Sequence, residues 1–341
     1  MTVPSDTLFS MEPEDSGSDG TRPPTPRPRA VTRPPVGPAA LDPVIASRAS
    51  QLSRQIRLGT SSWSFPGWRG LVWDRESSES TLARSGLPAY AAHPLLRCVG
   101  IDKTFYRPPV AADLAAMAKQ VPEDFRFLMK VPESVVSPSP RHGASRFLDA
   151  AYATNEVVAP FIEGLASRGG PLLFQFPPLG IRTGEAAARV VDSIGEFLAR
   201  LPSGPLYAVE VRDRLLLGES YRSRLRTAGV VHCYSVHPSM PSPLEQARAC
   251  PPEPGTPMVC RWMLHGGQTY EDAVDRYEPF DRLVDPDERS RHEFAAMLER
   301  AAGQGRDCFL IANNKAEGSA PITLALLAEA ILARGDHPAV A

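Results

Sequence analysis

The chain has 341 residues, 43% of them hydrophobic and 22% charged, the make-up of a globular protein able to bury a large core. Its formal net charge of -2 supplies no overall attraction for nucleic acid or an anionic membrane, so neither is favoured as a partner beyond what a local basic patch could hold. No apolar run is long enough to cross a bilayer and the first residues lack the apolar centre of a signal peptide, so a cytoplasmic protein without membrane contact is expected.

Residues 1–50 open with an acidic stretch, EPEDSGSDG, and continue as TRPPTPRPRAVTRPPVGP. Proline removes backbone donors, and the segment has little apolar area to offset the entropy of ordering. A disordered Pro-rich tail is expected over 1–50, with a protein partner docking on it as its functional reading, and a single domain over 51–341.

From there short apolar runs recur, starting at Ile56, Val99, Phe125, Pro171, Tyr207, Val230, Val259 and Cys308. The second reads as VGIDKTFY, a strand running through Tyr106. Helical spacing marks residues 111–120, 145–165, 185–198 and 221–228, and the segments near 294–301 and 322–332. The piece between the sixth and seventh runs, SMPSPLEQARACPPEPGTP, is the weakest helix because proline interrupts it. Eight β-α units predict an α/β fold of the TIM-like (β/α)8 class. The rival, an open doubly wound sheet, usually carries a Gly-rich phosphate loop after its first strand, and GTSSWSFPGWRG is not one.

Of the five cysteines, Cys98, Cys233, Cys260 and Cys308 fall in strand-like runs and Cys250 in a Pro-rich loop. With no CxxC among them they read as small core hydrophobes. Cys233, His232 and His237 do not have the spacing of a metal set, and no metal is expected.

The motifs GTSSWSFPGWRG, DKTFYRPP, FRFLMKVP, LLFQFPP, AVEVR, CRWMLHG and FLIANNKAEGSA, in this order over residues 56–332, resemble the domain of unknown function 72 family, also called YecE-like proteins. The resemblance implies a TIM-like barrel and no settled activity. Three stretches depart from the family pattern. Ser62 replaces a glycine, Gly100 and Asp102 stand where glutamate and asparagine are usual, and the sixth strand ends in Tyr234, Ser235 and Val236, where many relatives carry an acid.

A barrel places its site at the C-terminal ends of the strands, where residues of one parity point inward together. Glu210 and Arg212 share a parity on the fifth strand, which reads either as a general acid or base tuned by an arginine or as a buried ion pair. Arg261 and His265 alternate in register on the seventh, fitting an oxyanion holder and a proton carrier, or two loop anchors. Lys130 ends the third strand and fits anion binding or base chemistry. Asp102 and Tyr106 share the second strand's inward parity. Gln175 sits between two phenylalanines and requires hydrogen-bond partners if buried. Asn313 and Asn314 offer amide donors beside a helix start or simply cap a turn. Trp63 and Trp68 follow the first strand as a stacking wall over the pocket or as packing.

Glu210, His265 and Lys130 are therefore the candidate catalytic residues. Trp63, Trp68, Asp102, Tyr106, Gln175, Arg212, Arg261, Asn313 and Asn314 are the candidate ligand contacts. With no HExxH, GxSxG or dinucleotide fingerprint, no cofactor is expected. Three functional readings follow: a metal-independent hydrolase or lyase acting on a small phosphorylated or carboxylated molecule, a noncatalytic sensor or binding protein for a small anion, and a metal-dependent nuclease-like phosphoesterase.

Overall fold

Eight parallel strands pair in chain order and the last closes on the first. They are β1 (Ile56–Thr60), β2 (Leu96–Ile101), β3 (Arg126–Lys130), β4 (Gly169–Gln175), β5 (Leu206–Glu210), β6 (Val231–Val236), β7 (Met258–Trp262) and β8 (Cys308–Ala312). This computed structural model describes residues 35–335. The (β/α)8 expectation holds.

The helices are α1 (Pro43–Gln51), α2 (Glu79–Ser85), α3 (Leu87–Ala91), α4 (Ala111–Ala118), α5 (Glu133–Val136), α6 (Ala150–Ala153), α7 (Ala159–Leu165), α8 (Gly184–Leu198), α9 (Glu219–Ala228), α10 (Pro243–Ala249), α11 (Tyr270–Tyr277), α12 (Glu288–Gly303) and α13 (Ala320–Gly335). Most of the expected tail lies outside the described residues. Its last part does not, and it carries structure: Pro38 bridges to Trp73, and α1 begins at a capping Asp42, whose carboxylate accepts from Val44 N at 2.8 Å. Arg48 of that helix pairs with Glu329 of α13 at 2.8 Å.

Helix α10 forms in the proline-interrupted segment because its signals sit at the right end. Pro243 occupies the first turn, where its missing N–H costs nothing, and Ser242 and Glu245 bond reciprocally as a capping box. The expected helix over 145–165 begins later, at α6, and passes into α7 through a π-helical turn at Thr154–Val158.

The second strand is shorter than its apolar pattern. It stops at Ile101, and Asp102–Phe105 wind into a 3-10 turn. The cause is Thr104, whose hydroxyl reaches Ile101 O at 2.8 Å and Lys130 O at 2.7 Å, folding the chain back against β3. Closure of the β1–β2 edge depends on Gly59, since a Cβ there would stand 2.0 Å from the carbonyl oxygen of Cys98.

Within the barrel Cys98, Leu128, Leu173, Ala208, Cys233, Val259, Phe309 and Ile311 pack as one apolar layer. Side chains alternate along a strand, so residues two further on form the next inward layer toward the C-terminal ends. Those residues are Gly100, Lys130, Gln175, Glu210, Ser235, Arg261 and, beyond Ile311, Asn313. The apolar layer is the floor and the polar layer lies over it.

Candidate functional site

Glu210 ends β5 with its side chain fully buried, and two arginines hold it. Arg261 Nη1 donates to Oε2 at 2.7 Å, while Arg212 Nη2 pairs with Oε1. Arg261 Nη2 also lies 3.9 Å from Asp102 Oδ1, so the guanidinium spans two carboxylates. Burial alone would push the Glu210 carboxyl upward, but the charges of Arg212 and Arg261 outweigh it and hold the group at about 2. Burial also drives Lys130 down to about 8; Asp102 opposes that fall and the neighbouring Arg261 reinforces it.

The arginines are not saturated by this arrangement. Arg212 Nη1, Arg261 Nε and the Ser235 hydroxyl are buried with no hydrogen-bond partner in the protein. Buried donors are rarely left so; Ser235 and Arg261 belong to the polar layer, and Arg212 stands two residues beyond Glu210. Three cationic side chains, Lys130, Arg212 and Arg261, face two carboxylates, Glu210 and Asp102. The set combines guanidiniums that keep free donor atoms with an amine of lowered proton affinity.

The remaining sequence candidates divide. Gln175 is partly buried and in register with Glu210 across the β4–β5 pair. Asn313 links Ser61 Oγ, at 2.8 Å, to the Lys315 backbone N–H, at 3.0 Å. Trp63 and Trp68 turn inward to packing: Trp63 Nε1 donates to Leu82 O at 3.2 Å, and Trp68 Nε1 to Asn314 Oδ1 at 3.1 Å. Asn314 also accepts from Ala320 N at 2.9 Å, so its carbonyl is used in joining the first loop to the start of α13. Tyr106, displaced by the turn at Thr104, is 65% exposed and stands edge-on to His142. The backbone N–H of His265 donates to Lys315 O in the segment after β8, and its Nδ1 lies 2.8 Å from Gly266 O in its own loop; among the described residues it shares no hydrogen bond with Glu210 or Arg261.

The family described as "Protein of unknown function DUF72" matches residues 57–340. This chain belongs to the DUF72 family. A DUF72 protein of Enterococcus faecalis V583 is 20% identical, with 81% of this chain and 95% of that one aligned at a TM-score of 0.57. One from Thermotoga maritima MSB8 is 21% identical over 80% and 98%, at 0.56. At these identities the likeness establishes the barrel and no more. No curated protein matches the chain.

This DUF72 barrel brings to its mouth a histidine the sequence did not single out as a site residue. His237, just past β6, is held at about 4 by burial and by the nearby charge of Arg212, with Glu210 pulling the other way. Its Nδ1 accepts from Ser239 N at 3.2 Å, and Ser239 Oγ donates to Arg212 O at 2.9 Å, tying the loop to β5. His237 and His265 line one cleft between the loops after β6 and β7. Ser61 and Ser235 are the other additions. The parity of Ser235 with Cys233 was the signal available for it, whereas Ser61 is marked only by its bond to Asn313, 252 residues away. Among the described residues no three His, Cys, Asp or Glu side chains stand close enough to share an ion, and no helix is long and apolar enough to cross a membrane.

Proposed function

We propose that this DUF72 protein binds a small phosphorylated or carboxylated molecule at the C-terminal mouth of its barrel and acts on it as a hydrolase or lyase. The observation that carries the reading is the set of unpartnered buried donors on Arg212 and Arg261, two guanidiniums already oriented by Glu210. Arginine forks match carboxylate and phosphate oxygens, and orientation in advance of binding lowers the cost of ordering.

Within this reading Glu210 is a positioning residue. A carboxyl held at about 2 has little tendency to take up a proton near neutral pH, which supports giving proton transfer to Lys130 instead. An amine at about 8 exchanges its proton in the physiological range. Arg212 and Arg261 would then stabilise negative charge that develops on the bound molecule.

Calorimetric titration with phosphate monoesters and small carboxylates, followed by turnover assays on those that bind, tests the proposal. Binding should weaken at least tenfold in Arg261→Lys and Arg212→Lys, and Lys130→Met should bind more weakly and, at saturating ligand, lose turnover. Binding without turnover would make the barrel an anion sensor, and absence of binding by every member of both panels overturns the reading.

A further inference from the structure

Beside the mouth, the turn after β2 and the loop after α5 border an open cleft of about 310 Å³. A cavity of roughly 150 Å³ is enough for one benzene ring, so the cleft admits a ring with substituents. Its lining includes Phe105, Tyr106, Arg107, His142, Arg146 and Tyr152, and no acidic residue. Among the described residues Tyr106 is one of the few large hydrophobic side chains left mostly exposed, and its ring meets those of Phe105 and His142 edge-on at 5.7 and 5.8 Å. The Arg146 guanidinium lies 5.2 Å from the ring of Tyr152 on the same cleft.

Phe105 joins this cleft to the polar layer. The ammonium of Lys130 sits 3.9 Å from its ring centroid, so the cleft and the amine assigned above to proton transfer meet at this one ring. Tyr106 offers a face on which a planar group can pack, and cationic side chains beside aromatic rings favour a ligand that is both flat and negatively charged.

We infer that the molecule bound at the mouth carries an aromatic or heteroaromatic ring, which packs against Tyr106 in this cleft while its phosphate or carboxylate reaches Lys130 and the arginines. The inference rests on the anion reading of the mouth and narrows it to a class: aryl or nucleoside phosphates and aromatic acids, in preference to aliphatic ones. Stacking of a ring on a protein aromatic is commonly worth about a tenfold gain in affinity.

The test is calorimetry on the full chain with five probes: inorganic phosphate, glycerol 3-phosphate, phenyl phosphate, acetate and benzoate. Phenyl phosphate should bind about tenfold more tightly than glycerol 3-phosphate, or benzoate than acetate. Tyr106→Ala should erase that preference, and Tyr106→Phe, which keeps the ring, should preserve it. Because Tyr106 is mostly exposed, either variant should retain the wild-type melting temperature. Binding of the anions without a ring preference, or a preference that survives Tyr106→Ala, overturns this inference alone. Failure of all five to bind overturns the anion reading and this inference with it.

Discussion

Arg261 Nη1 donates to Glu210 Oε2 at 2.7 Å, and both side chains are shut inside the barrel. A buried ion pair of this kind contributes little net stability while intact, because desolvation offsets attraction, but losing one partner strands the other charge. Glu210→Gln leaves Arg212 and Arg261 facing each other without the carboxylate between them, and should cost about 3–5 kcal/mol. The pH dependence has a definite sign. With its folded-state carboxyl held at about 2, below the ordinary 4.5, Glu210 contributes stability that is complete above pH 4.5 and is lost as the pH falls toward 2. Urea unfolding between pH 6 and 2.5 should show the wild type losing more stability than Glu210→Gln over that window. Parallel curves would count against the ion-pair assignment.

Lys130 gives the opposite edge of the pH range. Its amine is driven from the ordinary 10.5 to about 8, so the unfolded chain holds more protons between those values and stability rises with pH across that interval. Binding runs the other way, because the neutral amine attracts an anion less. Sulfate, whose charge is constant there, should bind progressively more weakly as pH passes 8. In Lys130→Arg the affinity should stay flat to about pH 9.5, since guanidinium does not deprotonate there. A flat wild-type profile would remove Lys130 from the binding layer.

The parts of this site that could be read from the chain are those fixed by strand alternation. Glu210, Arg212 and Arg261 face one another because each stands an even number of residues beyond an inward apolar side chain, a relation visible within five letters of sequence. Tyr106 defeats that rule. The turn that displaces it is made by Thr104 bonding the carbonyl of Lys130, 26 residues on, and no local pattern reports such a bond. The same holds for Trp68, whose partner Asn314 lies 246 residues away, and for the choice between His237 and His265. Both histidines follow strand ends, and only the path of each loop decides which one faces the arginines.

Trp68 and Asn314 should behave as structure. Trp68→Phe removes the donor at 3.1 Å from Asn314 Oδ1 and part of a fully buried indole, with an expected loss of about 1–3 kcal/mol. Asn314 Oδ1 keeps its bond from Ala320 N, so α13 should stay docked. Sulfate affinity measured well below the melting temperature should match the wild type. A large affinity loss in a folded Trp68→Phe would restore this residue to the ligand surface.

His237 and His265 can be separated in one set of measurements. Burial and Arg212 keep the His237 ring neutral down to about pH 4; Nδ1 lies 3.2 Å from Ser239 N and 2.9 Å from Ser239 Oγ, and from the backbone donor we assign the ring proton to Nε2. That leaves an uncharged donor beside the arginines, worth about a fivefold contribution to anion affinity. His237→Ala should therefore weaken sulfate binding by about that factor, whereas His265→Ala, which loses only a contact to the carbonyl of its neighbour Gly266, should leave it unchanged. The sign of linkage follows from the lowered value: the unfolded chain protonates this histidine first, so its share of stability is complete above pH 6.5 and is lost as pH falls toward 4. Ring-proton NMR should place its titration near 4. A His237 that titrates near 6.5, together with an affinity loss confined to His265→Ala, would reverse the assignment.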